Sequence, residues 1–128
     1  MIKVLLLMAG GAIGTIFRFG ISTWVQRSML PTFPWGILSV NVIGSFSIGL
    51  CWSMTEVLNL SSNTRLFIFT GLFGGFTTFS SFTLDTMSLM KVGEYKLALL
   101  NILASNFLGL LAVFLGLFLG KHIISLIK

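Results

Sequence analysis

The sequence predicts an all-α integral membrane protein built from four transmembrane helices, and three observations carry that reading. Hydrophobic residues make up 55% of the chain and charged residues 9%, against about 25% charged in an ordinary soluble domain. Mean hydropathy is +1.03. The 128 residues divide into four apolar stretches, each near the ~20 residues that a helix needs to cross a bilayer. Almost nothing is left for a soluble unit, so residues 1–128 read as a single four-helix transmembrane domain whose function lies within the bilayer.

The first helix runs from about Val4 to Val25. Its opening, MIKVLLLMAGGA, has the lysine and short apolar run of a signal peptide, but apolar character continues past residue 20 and three more spans follow. The polar, proline-containing segment QRSMLPTFP ends it, and the second helix follows from about Trp35 to Val57. After EVLNLSSNTR the third covers about Leu66 to Met90, and after the turn KVGEYK the fourth runs from about Leu97 to Ile124. Such short connections make consecutive helices antiparallel neighbours. Cys51 and His122 are the single residues of their kinds, so neither an internal disulfide nor a metal-ligand spacing is available. The net charge of +5 is spread singly or in pairs near span ends, as interfacial anchors are; this disfavours nucleic acid as a partner.

Small and polar residues fall on helical faces. Gly10, Gly14 and Arg18 are spaced by four; Asn41, Gly44, Ser45 and Gly49 share a side of the second helix, as Asn101, Ser105 and Gly109 do in the fourth. In lipid, helices associate through close packing and interhelical hydrogen bonds, so the glycines read as packing seams. An amide is costly to bury without a partner, so Asn41 and Asn101 either line a polar path or bond across an interface.

With four spans both termini and the middle loop share a side, which carries Lys3, Arg65, Lys121 and Lys128, against Arg27, Lys91 and Lys96 opposite; Arg18 is too deep to assign. Because the Lys/Arg difference sets orientation, so even a distribution predicts insertion both ways up. Two opposed copies can then pair about a two-fold axis in the membrane plane, giving an antiparallel, dual-topology homodimer.

The segment GLFGGFTTFSSFTLD, residues 71–85, is the unusual one. Glycines at 71, 74 and 75 followed by two threonines predict a helix broken mid-membrane, and backbone freed there must be buried in protein or line a hydrated cavity, where carbonyls suit a small bare cation. Phe73, Phe76, Phe79 and Phe82 recur every third residue, with Ser or Thr in most of the gaps between the last three. Ring edges are weakly positive and hydroxyls donate hydrogen bonds, a combination that suits a small, strongly hydrated anion. The competing reading makes the rings apolar filler and bonds the hydroxyls back to helix carbonyls. Arg18 and Asp85 are the charges nearest the membrane interior. Each could snorkel to the headgroups, Arg18 could form a positive mouth, and the two could pair.

TGLFGGFTTFSSFTLD, residues 70–85, closely resembles the third-helix signature of the Fluc (CrcB) family of fluoride channels. GGAIGTIFR, residues 10–18, resembles that family's first-helix motif, and WGILSVNVIGS, residues 35–45, its second-helix motif. The resemblance implies a dual-topology homodimer with two antiparallel pores that pass fluoride by electrodiffusion and protect the cytoplasm. It also implies a plasma-membrane location, the inner membrane of a bacterium, with the lipid bilayer and a second copy as partners. By the same likeness Phe79 and Phe82 offer ring edges and Asn41 a pore-lining amide, Ser80, Ser81 and Thr83 belong to the polar track, and Asn101 and Ser105 extend it on the fourth helix. Arg18 belongs to a vestibule, and the carbonyls of Gly74 and Thr77 from both copies would hold a structural Na+ at the dimer centre. Asp85 stands where the family pattern expects Glu, Ile37 where relatives often have Thr, and Gly109 where a further hydroxyl would extend the track.

Three other functions compete. A small proton-coupled multidrug exporter shares the size and topology but needs a membrane-embedded acid, and Asp85 is the one acid near mid-membrane. A scaffold for other membrane subunits would not need the aromatic and hydroxyl stretch. An enzyme would need a nucleophile and base at a useful spacing, which the sequence lacks. Selectivity for fluoride over chloride rests on the resemblance.

Overall fold

The structure, a computed structural model, describes residues 1–127; Lys128, counted above in the charge balance, lies outside the described residues. All of its regular structure is helical, and four helices are long and apolar enough to cross a membrane. α1 spans Ile2–Ser28 and α2 spans Trp35–Leu58. The third span, Ser62–Lys91, is in two pieces, α3 (residues 62–76) and α4 (Phe79–Lys91). α5 spans Tyr95–Ile127. At ~1.5 Å per residue, the 27 residues of α1 and the 33 of α5 are long enough to extend past a hydrocarbon layer ~30 Å thick.

The helix ends follow local chemistry. Met29 turns extended after α1, and Pro31 and Pro34 keep the chain non-helical until Trp35. Gln26 of α1 staples this connection: its Nε2 donates to the Phe33 carbonyl at 3.0 Å, and its Oε1 accepts from the Gly36 amide at 3.0 Å, one of the orphan donors of the α2 N-terminus. Asn59 closes α2 in the left-handed region, and Ser61 caps α3 by accepting from the Thr64 amide. Gly93, at φ +82, makes the tight turn from α4 into α5.

α3 is not a regular α-helix. After one turn over Ser62–Arg65 it widens into a π-helix over Leu66–Phe73, then returns to α geometry for Gly74–Phe76. Runs of π-helix are rare outside single-turn bulges. Backbone lies against backbone where this segment crosses α1. A Cβ on Gly10 would come within 2.7 Å of the Phe67 carbonyl, one on Gly75 within 2.6 Å of the Gly11 carbonyl, and one on Gly14 would collide with the carbonyl of Leu72. The seam between α2 and α5, the most extensive in the molecule, is similar, with Gly49 against Val113 and Gly116 against Phe46. Such small-residue seams let helices attract through dispersion alone in a solvent as apolar as they are. At the far end Arg65 lies over the Trp52 ring, 5.4 Å from its centroid, and ties α3 to α2.

Val40 and Asn101 are the largest side chains that are fully enclosed, with Leu38, Phe73, Phe76, Phe82 and Leu89 also buried. Large apolar residues line the outside instead, including Phe17, Phe19 and Trp24 on α1 and Phe107, Phe114 and Phe118 on α5. That distribution fits a lipid solvent.

Candidate functional site

The third span leaves helical geometry at Thr77 (φ −82, ψ 156) and Thr78 (φ −150, ψ 120). Thr77 still closes the preceding turn, its amide and its hydroxyl each donating to the Phe73 carbonyl at 2.9 Å. Thr78 does not. Its amide, which in a continuous helix would serve the Gly74 carbonyl, donates to Asn41 Oδ1 at 2.8 Å, while Asn41 Nδ2 donates to the Thr78 carbonyl at 3.0 Å. One side-chain amide from α2 thus replaces the peptide partner that Thr78 has lost on both sides. Gly44, one turn along α2, allows this approach, because a Cβ there would strike the Thr77 methyl and come within 3.0 Å of the Phe76 ring.

Thr78 then starts α4. Its hydroxyl oxygen accepts from the Ser81 amide at 3.2 Å, the N-cap bond, and lies 3.3 Å from Ser80 Oγ; its hydrogen goes to Ser81 Oγ at 3.1 Å. With Thr78 donating to Ser81, the contact with Ser80 is satisfied by Ser80 donating, and the Ser81 hydroxyl keeps a hydrogen uncommitted. Phe79 and Phe82 sit one turn apart with ring centroids 5.5 Å from each other and planes 49° apart. Phe82 is 8% exposed and Phe79 is 76% exposed. Gly74 and Ser80 are exposed as well, so the residues flanking the break lie on an open face of the single copy while Thr78 itself is buried. Thr83 donates back to the Ser80 carbonyl at 2.9 Å.

Behind Phe82 a buried polar chain joins α4 to α5. Ser105 Oγ donates to Asn101 Oδ1 at 3.4 Å, Asn101 Nδ2 donates to Thr86 Oγ1 at 2.9 Å, and Thr86 Oγ1 donates to the Phe82 carbonyl at 2.8 Å. Asn101 is 1% exposed, and no buried polar side-chain atom lacks a partner among the described residues.

Asn41 therefore sits at the break, Phe79, Ser80, Ser81, Phe82 and Thr83 follow it on α4, Asn101 reaches the same helix from α5, and Ser105 bonds to Asn101 within α5. Arg18, one turn of α1 beyond the contact of Gly14 with Leu72 and Phe76, makes no hydrogen bond to this group among the described residues. An open cavity of about 750 Å³ lies between the C-terminal end of α1, the start of α2 and the end of α4, and its charged lining residues are Arg27 and Asp85, not Arg18. Gly74 and Thr77 share the turn before the break, where the Gly74 carbonyl has lost its α-helical partner to Asn41. No cluster of His, Cys, Asp or Glu able to hold a metal occurs among the described residues.

Sequence reasoning passed over Thr78, Thr86 and Gln26. For Thr78 a signal existed, since a threonine ahead of a new helix is a natural N-cap. Thr86 and Gln26 act through tertiary contacts that no local pattern encodes.

The family model described as "CrcB-like protein, Camphor Resistance (CrcB)" matches residues 5–117. The chain is similar to the "Fluoride-specific ion channel FluC" of Parabacteroides distasonis, with 73% identity over 128 residues and 100% of both chains covered. The protein of the same description from Agrobacterium fabrum is 48% identical over 124 residues, covering 96% of this chain and 99% of the relative. One from Thermus thermophilus is 46% identical over 123 residues, covering 96% of this chain and 97% of the relative.

Proposed function

The chain belongs to the CrcB-like protein family, and from that premise we propose that it is a fluoride-specific ion channel, passing fluoride down its electrochemical gradient with no chemical step. It is a multi-pass membrane protein, of the inner membrane in a bacterial cell, and not an enzyme. The observation that carries the reading is full-length similarity, at 73% identity, to a relative described as a fluoride-specific channel. The local geometry is suited to the task.

Fluoride surrenders its water only where other donors replace it. The Ser81 hydroxyl, the second amide hydrogens of Asn41 and Asn101, and the positive rims of Phe79 and Phe82 form a series of weak sites, with Ser80, Thr83 and Ser105 beside them. Weak sites in series let an ion leave as readily as it arrives. Arg18 contributes positive potential to a vestibule by virtue of its charge and depth.

Two opposed copies complete the channel. The open face bearing Gly74, Phe79 and Ser80 and the near balance of positive charge across the membrane support an antiparallel, dual-topology homodimer with two pores and the helix break at mid-membrane. Na+ fits at its centre. Carbonyl oxygens suit a hard cation, one copy offers those of Gly74 and Thr77, and the two-fold axis would double the set. The carbonyls of Gly74 and Thr77 would hold it, and its positive charge would offset the repulsion between their dipoles.

The reading is tested by efflux from liposomes containing the purified protein. Fluoride should leave rapidly without chloride and without a proton gradient, and Phe79→Ile or Phe82→Ile should slow it severely while leaving the assembly intact. Proton-coupled movement of a lipophilic cation would select an exporter instead.

A further inference from the structure

The polar chain between α4 and α5 has a direction. The Thr86 hydroxyl hydrogen is spent on the Phe82 carbonyl at 2.8 Å, so towards α5 its oxygen can only accept. Whatever Asn101 points at Thr86 must therefore be a donor, and Nδ2 lies 2.9 Å away. Ser105 meets the other end of the amide, donating to Oδ1. An asparagine side chain is nearly symmetric in shape, so its sense is decided by its partners alone. Here the shorter contact, to Thr86, decides it.

We propose that Thr86 is a positioning residue for the fluoride pathway: by committing its own hydrogen to the Phe82 carbonyl, it turns the Asn101 amide so that the NH2 end faces α4. The proposal rests on the reading of Asn101 and Phe82 as pathway residues. An NH2 group has two hydrogens, one goes to Thr86, and the other has no partner among the described residues. The free hydrogen then lies on the side of the helix that carries Phe82, where an anion would use it. Without the Thr86 hydroxyl only the Ser105 contact remains, and because a serine hydroxyl accepts as well as it donates, the amide is free to reverse and offer fluoride a carbonyl oxygen. Thr86 also holds the backbone of the Phe82 turn, so one hydroxyl sets both the ring and the donor.

The experiment is fluoride efflux from liposomes holding the full-length protein, with size-exclusion chromatography as the check on assembly. Thr86→Val keeps the shape and removes the hydroxyl; efflux should fall about tenfold or more, because the amide then also takes the reversed form that presents its oxygen to the anion. Thr86→Ser should restore the rate to within about twofold, because it returns the same donor and acceptor. Asn101→Leu should slow efflux, and adding Thr86→Val to it should slow it no further. Equal slowing by Thr86→Ser and Thr86→Val would overturn the proposal by showing that packing matters and the hydroxyl does not. Wild-type efflux in Thr86→Val beside slow Phe82→Ile would overturn it and leave the pathway standing, whereas wild-type efflux in both would overturn the two together. If Thr86→Val does not assemble, the Thr86→Val/Asn101→Leu pair, which removes both polar partners and is tolerated more readily, should assemble and conduct slowly; wild-type efflux there would also overturn the proposal.

Discussion

Replacing Asn41 by Leu tests how the broken helix is held. In the native protein Thr78 is 8% exposed, and its amide and carbonyl find their partners in Asn41 at 2.8 and 3.0 Å. Leucine keeps most of the volume and removes both partners. Leaving a buried donor or acceptor unpaired costs about 1–3 kcal/mol each, so the two together destabilise the break by about 2–6 kcal/mol. Local opening at Thr78 should become easier by at least the lower figure, and its amide should exchange with deuterium about 30-fold faster or more. Residue-resolved exchange in lipid nanodiscs reads this directly, with the amides of Val113 and Leu117 in the distant α2–α5 seam as unaffected references. Asn41→Asp separates the two bonds. A carboxylate still accepts from the Thr78 amide but opposes the carbonyl, so protection should fall less than in Asn41→Leu while fluoride efflux still suffers. Unchanged Thr78 exchange in Asn41→Leu would show that something other than this side chain holds the break, and the reasoning would fail.

Gly14→Ala should weaken the α1–α3 crossing by about 1–3 kcal/mol, the usual range for overpacking, because the new Cβ meets the backbone of Leu72 and Phe76; Gly20→Ala, which meets nothing within 4 Å, should leave unfolding in mixed micelles no easier, with a gain of up to about 1 kcal/mol from helix propensity. Three lysines added to the connection between α1 and α2 should force one orientation and abolish fluoride efflux, with co-expression of an oppositely biased copy restoring it; efflux from the singly oriented protein alone would refute dual topology. Ser81→Ala should slow efflux several-fold more than Thr83→Val, since the Thr83 hydroxyl hydrogen already serves the Ser80 carbonyl; equal rates in the two would refute the donor assignment.

The spans were legible because twenty apolar residues in a row admit few alternatives, and the glycine seams because small residues at a spacing of four are what close helix packing in lipid requires. Gly10 and Gly14 do meet the backbone of residues 67–76. The amides were legible only as a pair of alternatives. The structure gives Asn41 and Asn101 partners on neighbouring elements, through Thr78 and Thr86 respectively. Thr86 itself was invisible, because its partner stands fifteen residues away and a lone threonine in an apolar helix ordinarily bonds back to its own turn. It does that too, which is why its direction of donation matters. The π-helical stretch was also beyond reach; glycines signal a weak helix, but the choice between widening and breaking depends on the backbone of α1 pressed against it.

The competing account of the hydroxyls, that they bond back to helix carbonyls, holds for Thr77, Thr83 and Thr86, and this sharpens the case for a pathway. A hydroxyl whose hydrogen serves a carbonyl has only lone pairs left, and lone pairs repel an anion. Removing those hydrogens from the supply leaves few donors along α4 in one copy: Ser81, and the free amide hydrogens that Asn41 and Asn101 bring from α2 and α5. Both amides are oriented by the third span itself, Asn41 through the Thr78 peptide freed at the break and Asn101 through Thr86. The helix break and the buried threonine are then two ways of holding a borrowed side chain, since Thr78 takes both ends of the Asn41 amide and Thr86 takes the NH2 end of Asn101, and each arrangement leaves one amide hydrogen uncommitted.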